Sequence, residues 1–159
     1  MPHSPALELD DLDLRILDQL QQDCGLSNQA LARRVHASPP TCLRRVRRLL
    51  DGGVIERRVA ILNPAALGAG LTAIIEITLD TQTAEHLDAF EARIIADPAI
   101  GQCYRVSSGP DFILVAQVAD MAAYQALARR AFTSDTRVRN VRSFFATARG
   151  KFDTRCAIS

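Results

Sequence analysis

Arg44, Arg45, Arg47 and Arg48 set four guanidiniums within five residues, and no acid occurs between Ser27 and Leu50 to neutralise them. Guanidinium groups grip phosphate oxygens and can bridge the O6 and N7 atoms of guanine bidentately. Like charges spaced this closely on a helix repel until a polyanion relieves them, so the run suits contact with nucleic acid better than an ordinary solvated face. Arg33 and Arg34 precede the run, and Arg57 and Arg58 follow it. Other chemistry is thin. His3, His36 and His86 are scattered, and Cys24, Cys42, Cys103 and Cys156 form no CxxC pair and no metal spacing with histidine. No serine or cysteine has a neighbouring base in sequence, so neither an enzyme nor a resident metal or cofactor is expected.

To present arginines to a DNA groove, a chain must hold them on a short helix braced by others. Ser27 and Ser38 stand where helix N-caps belong, and Pro39 follows at the first helical position, where its missing N–H costs nothing. Helices are therefore expected over about Asp11–Asp23, Asn28–Val35 and Pro39–Leu50, the last stopped by Gly52-Gly53. This is a helix-turn-helix spacing. At 100° per residue, Leu43, Val46, Leu49 and Leu50 form a buried stripe. Thr41, Arg44, Arg45 and Arg48 lie opposite, with Arg47 on the flank. Thr41 sits where it can reach a base edge or a thymine methyl. Ser27, Asn28, Ser38 and Pro40, at the starts of the two helices, complete the expected DNA-facing set with Arg33 and Arg34. His36 falls in the turn, where a left-handed backbone is tolerated by histidine at modest cost. Val54–Leu62 reads as an extended wing, placing Arg57 and Arg58 near phosphates.

Charge distribution supports a local contact. Residues 1–23 hold six acids and one base, residues 24–58 eight arginines and two acids, and the remainder ten of each, within a net charge of only +1. Because 18 of the 19 bases are arginine, clustering rather than residue choice carries the signal. No apolar run reaches the roughly 18 residues of a membrane helix. With unpaired cysteines, that makes the cytoplasm the expected compartment. Past the hinge around Asn63-Pro64 the period changes. Leu71–Asp80, Gln102–Ser107, Phe112–Val118 and Val138–Ala148 read as strands. Thr83–Ala96 and a segment capped by Asp120 read as helices, giving β-α-β-β-α-β, a ferredoxin-like order. The fold class is α+β.

The segments LDDLDLRILDQLQQD, SNQALARRV, SPPTCLRRVRRLLDGGVI, LNP, EITL, VSSGPDFIL and VADMAAY, in this order from Leu9 to Arg155, resemble the Lrp/AsnC family of leucine-responsive, or feast/famine, regulators. The resemblance implies a tail over 1–9, a helix-turn-helix DNA-binding domain over 10–53, and a wing strand and hinge over 54–70. A RAM/ACT-like effector-binding and oligomerisation domain would fill 71–159. It implies dimers paired through their sheets, octamers built as tetramers of dimers, and a small amino acid or related metabolite bound near the central turn. Carried over residue by residue, that site comprises Tyr104, Ser107, Ser108, Gly109, Pro110, Asp111 and Met121, lined by Phe144, Ala146 and Thr147. Backbone N–H groups around Gly109 suit a carboxylate, and Asp111 suits an ammonium. A plain hairpin, with Asp111 bonding only its own turn, is the competing reading. Where the family has glycine after the matching serine, this chain has Ser108. That departure favours an alternative, an architectural DNA-binding protein needing no effector.

Overall fold

The computed structural model describes residues 7–68 and 70–158. Its residues group into two units, one running to Ile61 and taking in the segment from Lys151 onward, the other spanning Leu62–Gly150. In the first, α1 (Asp11–Gln22), α2 (Asn28–Arg34) and α3 (Pro39–Asp51) enclose a core of Ile16, Leu31, Ala32, Val35, Cys42, Val46 and Leu49, all nearly or fully buried. Each helix starts on a side-chain cap. Asp10 and Asp13 bond each other's backbone N–H in a capping box, Ser27 accepts from Ala30, and Ser38 accepts from Thr41. His36 lies in the left-handed region at φ 55°, as the turn requires.

Two expectations for this unit need correction. Residues 54–63 form no strand, although the β-branched sequence suggests one. A strand needs a partner for its ladder, and among the described residues this unit offers none. Instead Ile55 bonds Leu49 and packs on the helical core, while Val59, Ile61 and Leu62 are exposed. The chain's last residues, expected in the second domain, belong to the first unit. Gln21 clasps Cys156 by both amide atoms: its Oε1 accepts the Cys156 N–H at 2.9 Å and its Nε2 donates to the Cys156 carbonyl at 3.1 Å. Ile158 sits beside Leu14, Arg15, Arg34 and Val35. Of the tail expected over 1–9, residues 1–6 lie outside the described residues.

The second unit runs β1 (Leu71–Leu79), α4 (Ala84–Ile95), β2 (Ile100–Arg105), β3 (Phe112–Val118), α5 (Met121–Ala128) and β4 (Val138–Phe145). Its antiparallel sheet has the order β2-β3-β1-β4, which is the ferredoxin-like arrangement. Alternation on the central strands makes the core. Ala73, Ile75, Ile77 and Leu79 of β1 and Phe112, Leu114, Ala116 and Val118 of β3 cluster with Phe90 and Ile94 of α4 and Leu127 of α5. Both helices of this unit, α4 and α5, pack on that core face, and on the other face Ile74, Tyr104 and Phe144 are exposed.

Candidate nucleic-acid interface and effector turn

On α3 the buried side chains are Cys42, Val46 and Leu49, so the helix is turned relative to the expected stripe. Leu43, expected inside, is 41% exposed. Arg44 and Arg47 are exposed and make no ion pair among the described residues, as do Arg33, Arg57 and Arg58. Arg45 and Arg48 behave differently, which corrects the expectation that they face DNA. Arg45 Nη1 lies 2.7 Å from Asp10 Oδ2 and 3.1 Å from Asp13 Oδ2, and Arg48 Nη1 lies 3.1 Å from that same Asp13 oxygen. Arg48 also donates through Nη2 to the Glu8 carbonyl. Asp13 is completely buried, and its other oxygen has no partner. The physical reason is the rotation itself. With Cys42 inward, Arg45 and Arg48 point at the acidic first turn of α1, where two cations relieve a buried carboxylate. The Asp13 backbone N–H, together with Arg45, holds the Asp10 carboxyl below the usual carboxylate range.

The remaining candidates divide between framework and surface. Asn28 Nδ2 donates to the Pro39 carbonyl at 2.9 Å, tying the start of α2 to the start of α3. The Ser38 hydroxyl donates to Thr41 Oγ1 at 2.8 Å, so both hydroxyls belong to the cap, and Thr41 is half-buried. Ser27 caps α2, and Pro40 is exposed. Arg34 is exposed, with a 3.4 Å bond to Gln19. The surface left for a polyanion is therefore Pro40, Arg44 and Arg47 on α3, flanked by Arg33 and Arg34, with Arg57 and Arg58 on the following segment.

In the second unit the turn after β2 is exposed from Ser107 to Gly109, with Ser108 at φ 67° and Gly109 at φ 119°. Ser108 thus pays a steric penalty where glycine would not. Pro110 is half-buried. Asp111 is 9% exposed, and its carboxylate is not directed at an open site or at its own turn. Its Oδ2 accepts the Leu79 N–H at 2.7 Å, and its own N–H bonds the Ile77 carbonyl, fastening the turn to the end of β1. The other expected effector residues lie elsewhere. Met121 follows β3, whose last residues pair with Leu71, and Ala146 bonds Thr72. These mark the opposite end of β1, about 20 Å away at 3.3 Å per residue, and Thr147 follows directly. Tyr104 and Phe144 are exposed on the two edge strands of the open face. One chain therefore gathers the expected residues into two clusters, not one pocket. Among the described residues no group of histidines, cysteines or carboxylates could hold a metal ion, and no helix is long and apolar enough to cross a membrane.

A capped helix-turn-helix with an unneutralised arginine edge, joined to a ferredoxin-like sheet unit, defines the class: a DNA-binding regulator with a separate second domain. A winged helix-turn-helix DNA-binding model matches residues 9–56, and a model of the Lrp/AsnC ligand binding domain matches residues 72–155. The chain belongs to the Lrp/AsnC family of transcriptional regulators and is not an enzyme. It is 39% identical to the leucine-responsive regulatory protein of Rhizobium meliloti, over 86% of this chain and 88% of that one. To the protein of the same name from Escherichia coli it is 40% identical, over 77% and 75%. Among solved structures it resembles an AsnC family transcriptional regulator from Agrobacterium tumefaciens, with TM-score 0.86 and 34% identity over 94% and 97% of the chains. It also resembles a Neisseria meningitidis transcriptional regulator in complex with L-methionine, with TM-score 0.84 and 29% identity over 94% and 97%.

Proposed function

We propose that this regulator grips duplex DNA through Arg44 and Arg47 of α3, supported by Arg33, Arg34, Arg57 and Arg58. In this reading a small amino acid acting on the second unit changes how many copies assemble on one DNA. The carrying observation is the set of arginines left without carboxylates while Arg45 and Arg48 are neutralised beside them. Ser27, Asn28, Ser38 and Thr41 set the backbone that presents this edge, and Pro40 borders it. Effector control draws support from the ligand-binding family model and from the L-methionine complex of a structural neighbour.

The exposed apolar face of the sheet supports assembly through that face. Ile74, Tyr104 and Phe144 need an apolar partner, and a second copy supplies the same surface. Octamers built from such dimers would bring the Ser107–Asp111 turn of one chain towards the Met121, Ala146 and Thr147 end of another, completing an effector site. An effector there shifts assembly through linkage, and assembly sets multivalent DNA engagement. The four cysteines are free thiols, which suits the cytoplasm. One observation favours the effector-independent architectural reading: Asp111, the expected ammonium acceptor, is already committed to Leu79. Sedimentation and calorimetry of the full chain with each amino acid separate the two. Heat and a shift in sedimentation support effector control, and silence across the whole set supports the architectural protein.

A further inference from the structure

The outward edge of α3 is not wholly cationic. Pro40, Leu43, Arg44 and Arg47 recur at i, i+3, i+4 and i+7, the spacing of a single helical stripe. The buried side chains of α3 occupy the opposite side, and the Asp10–Asp13 pair draws Arg45 and Arg48 out of the stripe. What remains is an isobutyl group at the margin of the stripe, beside two guanidiniums that make no ion pair among the described residues. Leu43 is 41% exposed, whereas Cys42, Val46 and Leu49 on the same helix are at most 5% exposed.

The position is informative because α3 is the second helix of the helix-turn-helix, and residues near the start of that helix meet base edges in the major groove. Arginines there satisfy phosphates or guanine, and neither offers anything to a leucine. The apolar group that the major groove does offer is the thymine C5-methyl, which the minor groove lacks.

We infer that Leu43 is a specificity-determining residue that packs on a thymine methyl in the major groove, beside the groups held by Arg44 and Arg47. The inference rests on the DNA-binding reading above and adds the base that the stripe prefers. Burial of one methyl-sized group corresponds to about a threefold to tenfold preference for thymine over a base lacking it.

The test uses the full chain and duplex sites selected from a random library. Each thymine of a selected site is replaced singly by deoxyuridine, which keeps the pairing and removes the methyl, and affinity is read by fluorescence anisotropy. The native protein is expected to lose about threefold to tenfold at one or two positions per half-site. Leu43→Ala is expected to bind thymine and uracil versions of those positions equally, with an unchanged salt dependence and an unchanged thermal midpoint. Tolerance of uracil at every position by the native protein overturns the inference. So does a thymine preference that persists in Leu43→Ala, because another residue then reads the methyl. Failure to bind any duplex overturns the DNA-binding reading itself, and this assignment with it.

Discussion

Arginine serves opposite ends in the two units. In the sheet unit Arg93, Arg105, Arg130, Arg137 and Arg142 each meet a carboxylate of that unit, Asp135, Asp88 with Glu91, Asp97, Asp135 and Glu76 respectively. In the helical unit Arg33, Arg44, Arg47, Arg57 and Arg58 meet none among the described residues, whereas Arg45, Arg48 and Arg155 each meet one. A count of arginines therefore says little about where a polyanion binds. The informative quantity is the charge left over after a unit's own carboxylates have been used: among the described residues it is scattered as Arg129 and Arg139 in the sheet unit, but clustered along α3 and the segment after it in the helical unit.

The comparison can be broken most sharply by removing the leftover charge. Arg44→Ala with Arg47→Ala is expected to weaken DNA binding at least 100-fold and to reduce the slope of log affinity against log salt by about 2. The matched pair Arg130→Ala with Arg142→Ala, in the sheet unit, is expected to change neither by more than about twofold. Equal losses from both pairs would erase the distinction between neutralised and free arginines.

The framework arginines give a second, smaller effect, read in stability. Asp13→Ala leaves Arg45 and Arg48 without their shared anion, and is expected to cost about 2–4 kcal/mol, less than a fully buried pair because Arg48 is one-third exposed. Amide hydrogen exchange across α1 and α3 measures this within the helical unit. Stability that survives while DNA affinity rises would mean that these two arginines are a reserve for phosphate, not part of the framework.

Much of the helical unit was legible in the sequence because its signals are local. Ser27, Ser38 and Pro39 declare helix starts within three or four residues of the bonds they make. The fate of Arg45 and Arg48 was not legible, since their partner Asp13 lies 32 and 35 residues away and is met only once α1 packs along α3. The helical wheel is misplaced for a related reason: it counts Leu43 as core, whereas packing against the other two helices buries Cys42 instead, and a small cysteine carries little apolar signal in a local pattern. In the sheet unit, alternation on β1 and β3 identified the strands. The role of Asp111 depends on a bond to Leu79, 32 residues away, which no local pattern reveals. The wing failed as a strand because β-branched residues state a preference and cannot supply a partner.

The smallest expected effect is the acid sensitivity of the sheet unit. A side-chain bond from Arg130 lowers the Asp97 carboxyl, and one from Arg137 lowers Asp135, both below the ordinary 3.8. A depressed carboxylate binds fewer protons folded than unfolded. Its stabilisation is therefore present above about pH 4 and is lost as the pH falls through the lower folded value. Both tyrosines, Tyr104 and Tyr124, lie in the sheet unit and the chain has no tryptophan, so intrinsic fluorescence follows that unit alone. Its thermal midpoint is expected to be lower at about pH 3 than at about pH 6. Arg130→Ala should reduce the difference.

The grip of Gln21 on Cys156 has a practical consequence for anyone dividing this molecule. A fragment severed after Ile61 would carry all three helices and the arginine edge, yet Gln21 would lose both its amide contacts and the groove beside Leu14 and Val35 would be stripped of Ile158. The helical module is discontinuous along the gene. A faithful miniature needs residues 151–158 spliced back on.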